Sequence, residues 1–448
     1  MGDVAAEAFD PIAYINEPRW RASSYGLHRI ADLLDRLGRP QDRLRFVHVA
    51  GTNGKGSTCA YVERIMREAG YRTGMFTSPY LFRFEERIQV DGACIPMGDL
   101  AAVTLGVREA AEEMFAQTGE HATEFELMTA VALVYFAQRA CDIAVLEVGL
   151  GGLLDSTNVI DAPEVCAITR IGLDHTDLLG DTLPEIARQK AGIVKTGATV
   201  VKQADDPEVM AVFEEVCREK GCELVVAAAE AVGPCDDATG LRPFSFAGRM
   251  YETRLLGKYQ PENAATALAV VGALRSRGWD VPEEAVARGV RETRWPARFE
   301  VVASRPTFVV DGGHNPQGAA ALAETIRDVF PGRKCVFLMS VLADKDYPAM
   351  VRTVLPLASA FVTFTPPNPR ALDAADLEAE IRGACCETCA NDHDAAAVTQ
   401  CNAVPASAVD DVAKGVRVAR ALAGEDGVVV AFGSLYSVGE VIAALGEG

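Results

Sequence analysis

The chain has 448 residues, which at about 150 residues per domain predicts two or three domains, or one large domain with a smaller one. Its composition, 49% hydrophobic and 24% charged, is ordinary for a globular protein and excludes collagen, coiled coil or disorder as the main state. A net charge of −20 argues against nonspecific binding to nucleic acid or to an anionic membrane surface, because the long-range field repels both.

The N-terminus, MGDVAAEAFDPIAY, has neither a basic segment nor an apolar core, so it does not have the pattern of a signal peptide. No run of about 18 apolar residues follows, and we expect no membrane-spanning helix. Twelve cysteines without a leader are typical of reduced thiols. These features predict a cytoplasmic protein.

Strands and helices alternate along most of the chain. Short apolar segments rich in β-branched residues predict buried strands at residues 46–49, 143–146, 165–168, 308–310, 336–339 and 428–432. Amphipathic helical stretches lie between most of them. Continuous apolar strands that alternate with helices predict an α/β fold with parallel sheets covered on both faces.

A glycine-rich segment follows the first strand. Residues 51–58 read GTNGKGST and precede a helix that we expect to end at Gly70. Glycines let backbone N–H groups wrap a phosphate, the helix N-terminus adds partial positive charge, and Lys55 adds a full one. The spacing differs from the standard phosphate loop, because Ala50 stands five residues before Lys55. A plain turn with a surface lysine is the disfavoured alternative.

Two further candidate groups follow the next strands. Glu147, within LEVGLGG, ends the strand predicted at 142–148, where open parallel sheets bind ligands. A carboxylate there is a natural magnesium ligand, although it could instead cap the next turn. His175 follows Asp174 after another strand. Both metal binding and a structural role are open for this histidine. A capping box at Thr182–Glu185 then predicts a helix that carries Lys190.

A seam near residue 295 separates two α/β series. Residues 262–291 predict a helical region, and a new series starts near Phe299, so we place domains at residues 1–297 and 298–448. In the second domain, DGGHNP at 311–316 joins a strand end to a helix start. Asn315 and Pro316 fit a helix N-cap and first residue, whereas Asp311 and His314 are candidates for binding phosphate or orienting a nucleotide.

Cysteines cluster late in the chain. The pair Cys386 and Cys389 has the C-x-x-C spacing that zinc can use, with Cys385, His393 and Cys401 nearby. Structural zinc sites usually show a second tight pair, so free thiols on a surface segment are the favoured interpretation.

These motifs, in this order, resemble the bacterial folylpolyglutamate synthase/dihydrofolate synthase family of the Mur-ligase superfamily. The resemblance covers nearly the whole chain: HVAGTNGKGST (48–58), FTSPYL (76–81), ERI (86–88), LEVGLGG (146–152), LDSTN (154–158), DH (174–175), IARQKAGIVK (186–195), YQPENAATALA (259–269), WPARFE (295–300), DGGHNPQGA (311–319), DKD (344–346) and FGSLYSVGEV (432–441). It implies a P-loop-containing, Mur-ligase-like parallel-sheet ATPase domain that also binds folate, and a smaller Rossmann-like C-terminal α/β domain.

The resemblance implies an ATP-dependent amide ligase that adds L-glutamate to dihydropteroate, to tetrahydrofolate, or to both. ATP phosphorylates a carboxylate of the pteroate or folate, and the amino group of glutamate then displaces the phosphate. It further implies a monomer with small-molecule partners, two magnesium ions, a potassium ion and a carbamate on Lys190. The alternatives are folylpolyglutamate synthase activity alone, another amino-acid ligase of the superfamily, or a nucleotide-binding switch.

The resemblance assigns residues to four groups. The nucleotide group comprises Asn53, Gly54, Lys55, Gly56, Ser57, Asn263, Arg298 and Asp311. The magnesium ligands are Ser78, Glu147, His175 and carbamylated Lys190, with Ser57 a weaker candidate. The pterin end is held by Gly26, Leu27, His28, Arg29, Ala122, Thr123, Glu124, Phe125, Leu154, Asp155 and Ser156. The residues expected to act in catalysis are Lys55, His175, Lys190 and His314.

Four positions depart from the family's pattern. Tyr80 stands in place of His, Leu153 in place of Arg, Tyr259 in place of His, and Ala297 in place of Gly. The phosphate and metal motifs remain intact. These departures therefore bear on substrate preference more than on the handling of ATP.

Overall fold

The computed structural model describes residues 9–17, 26–235, 240–391 and 404–446. The chain forms two compact units. The first comprises the chain up to Glu230, Phe246–Tyr251 and Glu262–Thr293, and the second comprises Ala231–Ser245, Glu252–Pro261 and the chain from Arg294. The sequence analysis placed two of these segments of the second unit in the first domain. The division at residues 297 and 298 stays a prediction.

An eight-stranded sheet forms the centre of the first unit. Its strands are β1 (Phe46–Ala50), β2 (Thr73–Phe76), β3 (Ile88–Val90), β4 (Ala93–Cys94), β5 (Ile143–Glu147), β6 (Val165–Ile168), β7 (Thr199–Gln203) and β8 (Glu223–Ala227). The strand order is β4-β3-β2-β5-β1-β6-β7-β8. Six strands run parallel, whereas β3 and β4 are antiparallel to their neighbours. The predicted parallel arrangement holds for these six strands, and the antiparallel pair extends the sheet at one edge.

Ten helices are described in or entering the first unit: α1 (Pro11–Ile15), α2 (His28–Arg36), α3 (Lys55–Glu68), α4 (Met97–Thr118), α5 (Glu124–Gln138), α6 (Thr176–Leu179), α7 (Leu183–Lys190), α8 (Pro207–Lys220), α9 (Gln260–Ser276) and α10 (Glu283–Glu292). One buried apolar cluster joins α1, α2, α4 and α5 to the sheet, and another joins α7 and α8 to β6 and β7. Helix α3 ends two residues before the expected Gly70.

Three short strands, β9 (Ala231–Val232), β10 (Arg242–Phe246) and β11 (Arg249–Thr253), form a separate small sheet in the order β11-β10-β9. Its β9 and β10 pair antiparallel.

The second unit contains a six-stranded sheet. Its strands are β12 (Glu300–Ser304), β13 (Thr307–Val310), β14 (Cys335–Met339), β15 (Ala358–Thr363), β16 (Ala406–Ala408) and β17 (Val428–Phe432), in the order β12-β13-β17-β14-β15-β16. Only β12 is antiparallel to its neighbour among these strands. The described helices are α11 (Pro316–Val329), α12 (Tyr347–Val354), α13 (Ala374–Asn391), α14 (Val412–Ala423) and α15 (Leu435–Gly446).

The predicted strands all form, and helices cover the central ones. Strands β1, β5, β6, β14 and β17 are buried along their whole length, as continuous apolar segments predict. Within the described residues, no helix has both the length and the apolar character needed to cross a membrane. The predicted α/β class is confirmed, with mixed rather than purely parallel sheets.

Candidate active site

The glycine-rich segment connects β1 to the first residue of α3. Gly54 is the N-cap of this helix and has φ +91°, a conformation that glycine adopts readily. A Cβ on Gly51 would lie 1.8 Å from Thr169 Oγ1, so only glycine allows this close approach. Lys55 begins the helix, and its Nζ donates to Thr52 O at 3.2 Å. The backbone N–H groups at this helix start form a site suited to an anion.

Asn263 of α9 lies against the same segment. A Cβ on Gly54 would fall 2.3 Å from Asn263 Oδ1, and Asn263 is buried. The structure therefore brings Asn263 together with the contiguous predicted nucleotide residues Asn53, Gly54, Lys55, Gly56 and Ser57. More than 200 residues of chain separate Asn263 from Ser57, so only the fold creates this proximity.

The segment after β6, residues 169–172, fixes the glycine-rich segment from one side. Thr52 N and Asn53 N donate to Arg170 O at 2.9 and 3.4 Å. The Thr52 hydroxyl donates to Gly172 O at 3.1 Å and accepts from Gly172 N at 3.0 Å. We call residues 169–172 the bracing segment, because these bonds hold the conformation of the phosphate-binding backbone.

Glu147 is a buried carboxylate at the carboxyl end of β5. Its Oε2 accepts a hydrogen bond from Ser78 N at 3.2 Å. Two of the predicted metal ligands, Ser78 and Glu147, are thus in contact. The same bond means that Glu147 also orients the turn that carries Ser78.

Lys190 is the last residue of α7 and is almost completely buried. Its Nζ donates to Gly51 O at 2.9 Å. This bond places the amine against the glycine-rich segment, residues 51–58, which we call the phosphate loop. Burial, reinforced by the nearby charge of Lys55, lowers the pKa of Lys190 to about 7. A large fraction of this amine is therefore uncharged at neutral pH.

His175 precedes α6 with φ +52°, and 40% of its side chain is exposed. Its Nε2 lies 3.9 Å from Asp174 Oδ1. Within the described parts of the chain, no group of three or more His, Cys, Asp or Glu side chains has the arrangement of a metal site. The predicted magnesium ligands include only two residues of these types, so their assignment stays a prediction.

The three segments predicted to hold the pterin end come together in the first unit. Arg29 of α2 pairs with Glu126 of α5 at 3.1–3.2 Å, and both side chains are buried. Glu126 also accepts from Thr123 N at 2.8 Å. The short 3-10 helix Ser156–Val159 packs against both α2 and α5. The Arg29 guanidinium is thus engaged by a carboxylate of the protein itself.

The predicted pterin-binding residues differ in exposure. Phe125 packs on the LEVGLGG segment, because a Cβ on Gly149 would lie 2.4 Å from its ring. Asp155 is buried and accepts from Leu150 N and from Thr157, and burial raises its pKa. Leu154 is half exposed. The remaining residues range from buried to exposed: Gly26, Leu27 and Thr123 are intermediate, Ala122 and Ser156 are buried, and His28 and Glu124 are exposed.

A second cluster lies in the second unit, after β13. The Asp311 carboxylate accepts from Phe299 N at 2.9 Å, Gly313 N at 2.7 Å and the Tyr259 hydroxyl at 3.1 Å. Burial raises the pKa of Asp311, and the Arg298 charge opposes this shift. His314 Nδ1 lies 3.0 Å from Gly312 O. The predicted residues Arg298, Asp311 and His314 are therefore neighbours.

Two interpretations from the sequence receive direct support at helix starts. Asn315 caps α11 by accepting from Gly318 N at 2.8 Å, with Pro316 as the first helical residue. Thr182 and Glu185 form the predicted capping box of α7. Both roles are structural.

The cysteine cluster is described only in part. Cys385 is buried, Cys386 is exposed, and both are free thiols in α13. The side chain of Cys389, together with His393 and Cys401, lies outside the described residues. The zinc interpretation is not tested.

The sequence analysis missed Lys202 and Asp205, a buried ion pair at 2.9 Å beside the bracing segment. The available signal was two opposite charges at the carboxyl end of an apolar strand, the edge at which ligands bind. It also gave Thr52 no role, although Thr52 makes the bonds to the bracing segment described above.

Comparisons with known proteins agree with this geometry. Two family models match the chain, the Mur ligase middle domain over residues 49–271 and the Mur ligase glutamate ligase domain over residues 297–435. A dihydrofolate synthase/folylpolyglutamate synthase of Bacillus subtilis is 36% identical over 360 residues, or 79% of this chain and 84% of the relative. A folylpolyglutamate synthase of Lacticaseibacillus casei is 36% identical over 379 residues, or 83% and 88% of the two chains.

Solved structures give the same result. Mycobacterium tuberculosis folylpolyglutamate synthase complexed with ADP matches with a TM-score of 0.85 and 30% identity, covering 98% of this chain and 99% of that one. Escherichia coli FolC in complex with DHPP and ADP matches with a TM-score of 0.81 and 30% identity, covering 97% of each chain. The resemblance read from the motifs is confirmed, and the chain belongs to the dihydrofolate synthase/folylpolyglutamate synthase family of Mur ligases.

Proposed function

We propose that the protein is an ATP-dependent amide ligase that adds L-glutamate to dihydropteroate, to tetrahydrofolate, or to both, through an acyl phosphate. The observation that carries this proposal is the phosphate loop at the start of α3, where buried Lys190 donates a hydrogen bond to Gly51 O. The relatives are dihydrofolate and folylpolyglutamate synthases, which supports the substrate class. Solved relatives hold ADP or AMPPCP, which supports the use of ATP.

The phosphate loop supplies positioning and charge. The N–H groups at the start of α3 would hold the phosphates of ATP, and Lys55 would offset negative charge as the terminal phosphoryl group transfers. Asn263, against Gly54, would limit the position of the nucleotide from the other side. The roles of Arg298, Asp311 and His314 toward ATP and catalysis rest on the family resemblance.

The donor set fits magnesium. Glu147 presents a buried carboxylate at a strand end, beside the backbone turn of Ser78, and oxygen ligands are those that Mg²⁺ prefers. We propose Ser78, Glu147, His175 and carbamylated Lys190 as ligands of the two ions. Magnesium would offset charge on the transferring phosphate when bound. A potassium ion remains part of the proposal without an assigned residue.

A carbamate on Lys190 is supported by the state of its amine. Carbon dioxide reacts with an uncharged amine, and the pKa of about 7 leaves such an amine available at neutral pH. The product is a carbamate anion plus a released proton, so a neutral or positively charged amine becomes an anionic oxygen ligand. This change reverses the effect of the side chain on a metal site.

The segments around Arg29, Thr123 and Ser156 are the proposed site of the pterin end. Their convergence in the first unit supports this assignment, since Arg29 and Glu126 lock α2 to α5. The proposal also includes a cytoplasmic monomer without a nucleic-acid or membrane partner. The cysteines within the described residues are free, as is usual in a reducing compartment.

The test is release of phosphate from magnesium-ATP, with mass spectrometry of the product. We expect release only when L-glutamate is present together with dihydropteroate or tetrahydrofolate, and a product heavier by one glutamate. Lys55→Ala should abolish turnover with an unchanged melting temperature, while the exposed Lys414→Ala retains activity. Activity with tetrahydrofolate but not with dihydropteroate would reduce the function to folylpolyglutamate synthesis.

Two other outcomes would contradict the proposal. Turnover with a different amino acid and no folate would indicate another ligase of the superfamily. Slow release that depends on neither substrate would indicate a nucleotide-binding switch.

A further inference from the structure

We propose that Lys202 and Asp205 are positioning residues of the nucleotide site, a buried ion pair that sets the phosphate loop through the bracing segment. The proposal rests on the proposed function for its kinetic consequences, because it concerns the same nucleotide site. Neither residue belongs to the glycine-rich loop or to the helix that follows it.

The ion pair is fully enclosed. Lys202 Nζ lies 2.9 Å from Asp205 Oδ2, and the side chains are 0% and 2% exposed. Nζ also donates to Gln203 O at 2.7 Å and to Thr169 O at 3.3 Å, so its three donors have three acceptors. A buried ion pair contributes little net stability compared with apolar residues of the same volume, because both charges lose their hydration. Stability alone therefore does not account for this pair.

The pair holds the bracing segment at two alternate residues. Lys202 Nζ binds the carbonyl oxygen of Thr169, and Asp205 Oδ2 accepts from Ile171 N at 2.8 Å. The same carboxylate oxygen thus receives both the ammonium and a backbone N–H. Loss of the Lys202 ammonium would remove this donor from Thr169 O, and loss of the Asp205 oxygens would remove the acceptor of Ile171 N.

The other alternate residues of the bracing segment hold the phosphate loop. Arg170 O accepts from Thr52 N and Asn53 N, and Gly172 exchanges two hydrogen bonds with the Thr52 hydroxyl. Thr169 adds a steric limit, because its Oγ1 occupies the place that a side chain on Gly51 would take. The bracing segment therefore links the ion pair on one side to the phosphate loop on the other.

This arrangement predicts an effect on nucleotide binding in particular. The loop must present its N–H groups to phosphate oxygens within hydrogen-bonding geometry, and a displacement of about 1 Å can cost on the order of a hundredfold in rate. Lys202 and Asp205 contact no reacting group in this scheme, so they position the site and are not catalytic residues.

The experiment compares Lys202→Met, Asp205→Leu and the double variant with a control at another buried carboxylate, Glu63→Gln. Glu63 is also a buried carboxylate of the first unit, but it binds Thr73 Oγ1 and Arg67 toward the far end of α3. Binding of a fluorescent ADP analogue with magnesium, the melting temperature, and the KM values for ATP and glutamate are measured for each protein.

We expect Lys202→Met and Asp205→Leu to weaken ADP-analogue binding by about tenfold or more and to raise the KM for ATP accordingly. The KM for glutamate should stay within about twofold. In Lys202→Met the Asp205 carboxylate still faces the half-exposed Arg170, 3.9 Å away, whereas Asp205→Leu leaves the buried Lys202 ammonium without a carboxylate. The double variant buries neither charge, so its melting temperature should exceed that of Asp205→Leu while its nucleotide affinity stays low. Glu63→Gln should lower the melting temperature and keep the wild-type affinity.

Wild-type nucleotide affinity in variants with lowered melting temperature would overturn the proposal, since the pair would then be purely structural. An equal loss of affinity in Glu63→Gln would also overturn it. Should a single variant fail to fold, the double variant supplies the measurement. If the wild type binds the ADP analogue without glutamate-dependent turnover, the proposed function fails, and the variants' affinities still decide the role of the pair.

Discussion

Glu147 combines two roles that a sequence pattern cannot separate. It is buried at the end of β5, where a carboxylate can bind a metal ion, and it accepts a hydrogen bond from Ser78 N. A glutamine at this position retains an oxygen acceptor for that N–H but has no charge. The substitution therefore separates the structural role from the proposed metal-binding role.

We expect Glu147→Gln to keep the melting temperature of the metal-free protein unchanged or raised, because a buried charge is removed and the acceptor remains. Turnover should fall by orders of magnitude, and stabilisation by magnesium-ATP should decrease. Thermal melts with and without magnesium-ATP, together with phosphate release, check this. Glu215→Gln, on the surface of α8, is the control. Strong destabilisation with normal turnover would show that Glu147 is structural.

Ala297 shows the cost of one departure from the family's pattern. It has φ +56°, in the left-handed region that costs a residue with a Cβ about 1–2 kcal/mol. The glycine of the family's pattern would avoid this cost but would add about 0.5–1 kcal/mol of unfolded-state entropy. We expect Ala297→Gly to stabilise the protein by up to about 1 kcal/mol and Ala297→Val to destabilise it. Urea denaturation measures both, and a clear loss of stability in Ala297→Gly would contradict this account.

The edge of the first sheet is a β-hairpin whose turn has a recognisable sequence. Strands β3 and β4 are joined by Asp91–Gly92, both with positive φ, and Asp-Gly is a typical two-residue hairpin turn. This local signal predicts an antiparallel pair and was available in the sequence. The antiparallel β12 similarly pairs with β13 across Arg305–Pro306.

Helix α7 places the amine of Lys190 where its protonation depends on pH in the physiological range. The folded-state pKa of about 7 lies below the ordinary 10.5, so the uncharged fraction rises as pH increases through 7. We expect a ¹³C carbamate signal from bicarbonate-treated protein that is weak at pH 6 and strong at pH 8. Lys190→Met should remove the signal and the turnover, whereas Lys195→Met should retain the signal. A signal that persists in Lys190→Met would assign it to another lysine.

At the scale of the whole molecule, His48 contributes to the dependence of stability on pH. It lies in β1, completely buried, with Nε2 2.8 Å from Thr157 Oγ1, and burial lowers its pKa from 6.5 to about 3. The unfolded chain binds a proton below pH 6.5 that the folded chain does not. The contribution of neutral His48 to the free energy of unfolding is therefore fully present above pH 6.5. This contribution is lost as pH falls toward 3, by up to about 1.4 kcal/mol per pH unit.

We expect His48→Gln to lose about 1.6 kcal/mol less stability than the wild type between pH 6.5 and 5, because glutamine does not titrate. The measurement is the free energy of unfolding in urea at the two pH values. His28→Gln, at an exposed histidine, is the control. Equal pH dependence in wild type and His48→Gln would show that His48 is protonated in the folded protein.

Contiguous residues specify the local units of this protein. The apolar segment at β1, the glycines after it and Lys55 at the start of α3 are contiguous, so their pattern specifies strand, loop and helix together. The caps of α7 and α11 were predictable for the same reason. The ordered motifs are also local, so they identify the family without any contact between distant residues.

Packing of the elements selects which distant residues meet. Arg29 could pair with any of many carboxylates, and packing of α2 on α5 selects Glu126. Lys202 and Asp205 reach the bracing segment because the strand order places β6 between β1 and β7. Asn263 reaches Gly54 because helix α9 lies against the loop. Periodicity reports the local environment of each residue, whereas the choice among many equivalent partners is made by the free energy of packing the whole chain.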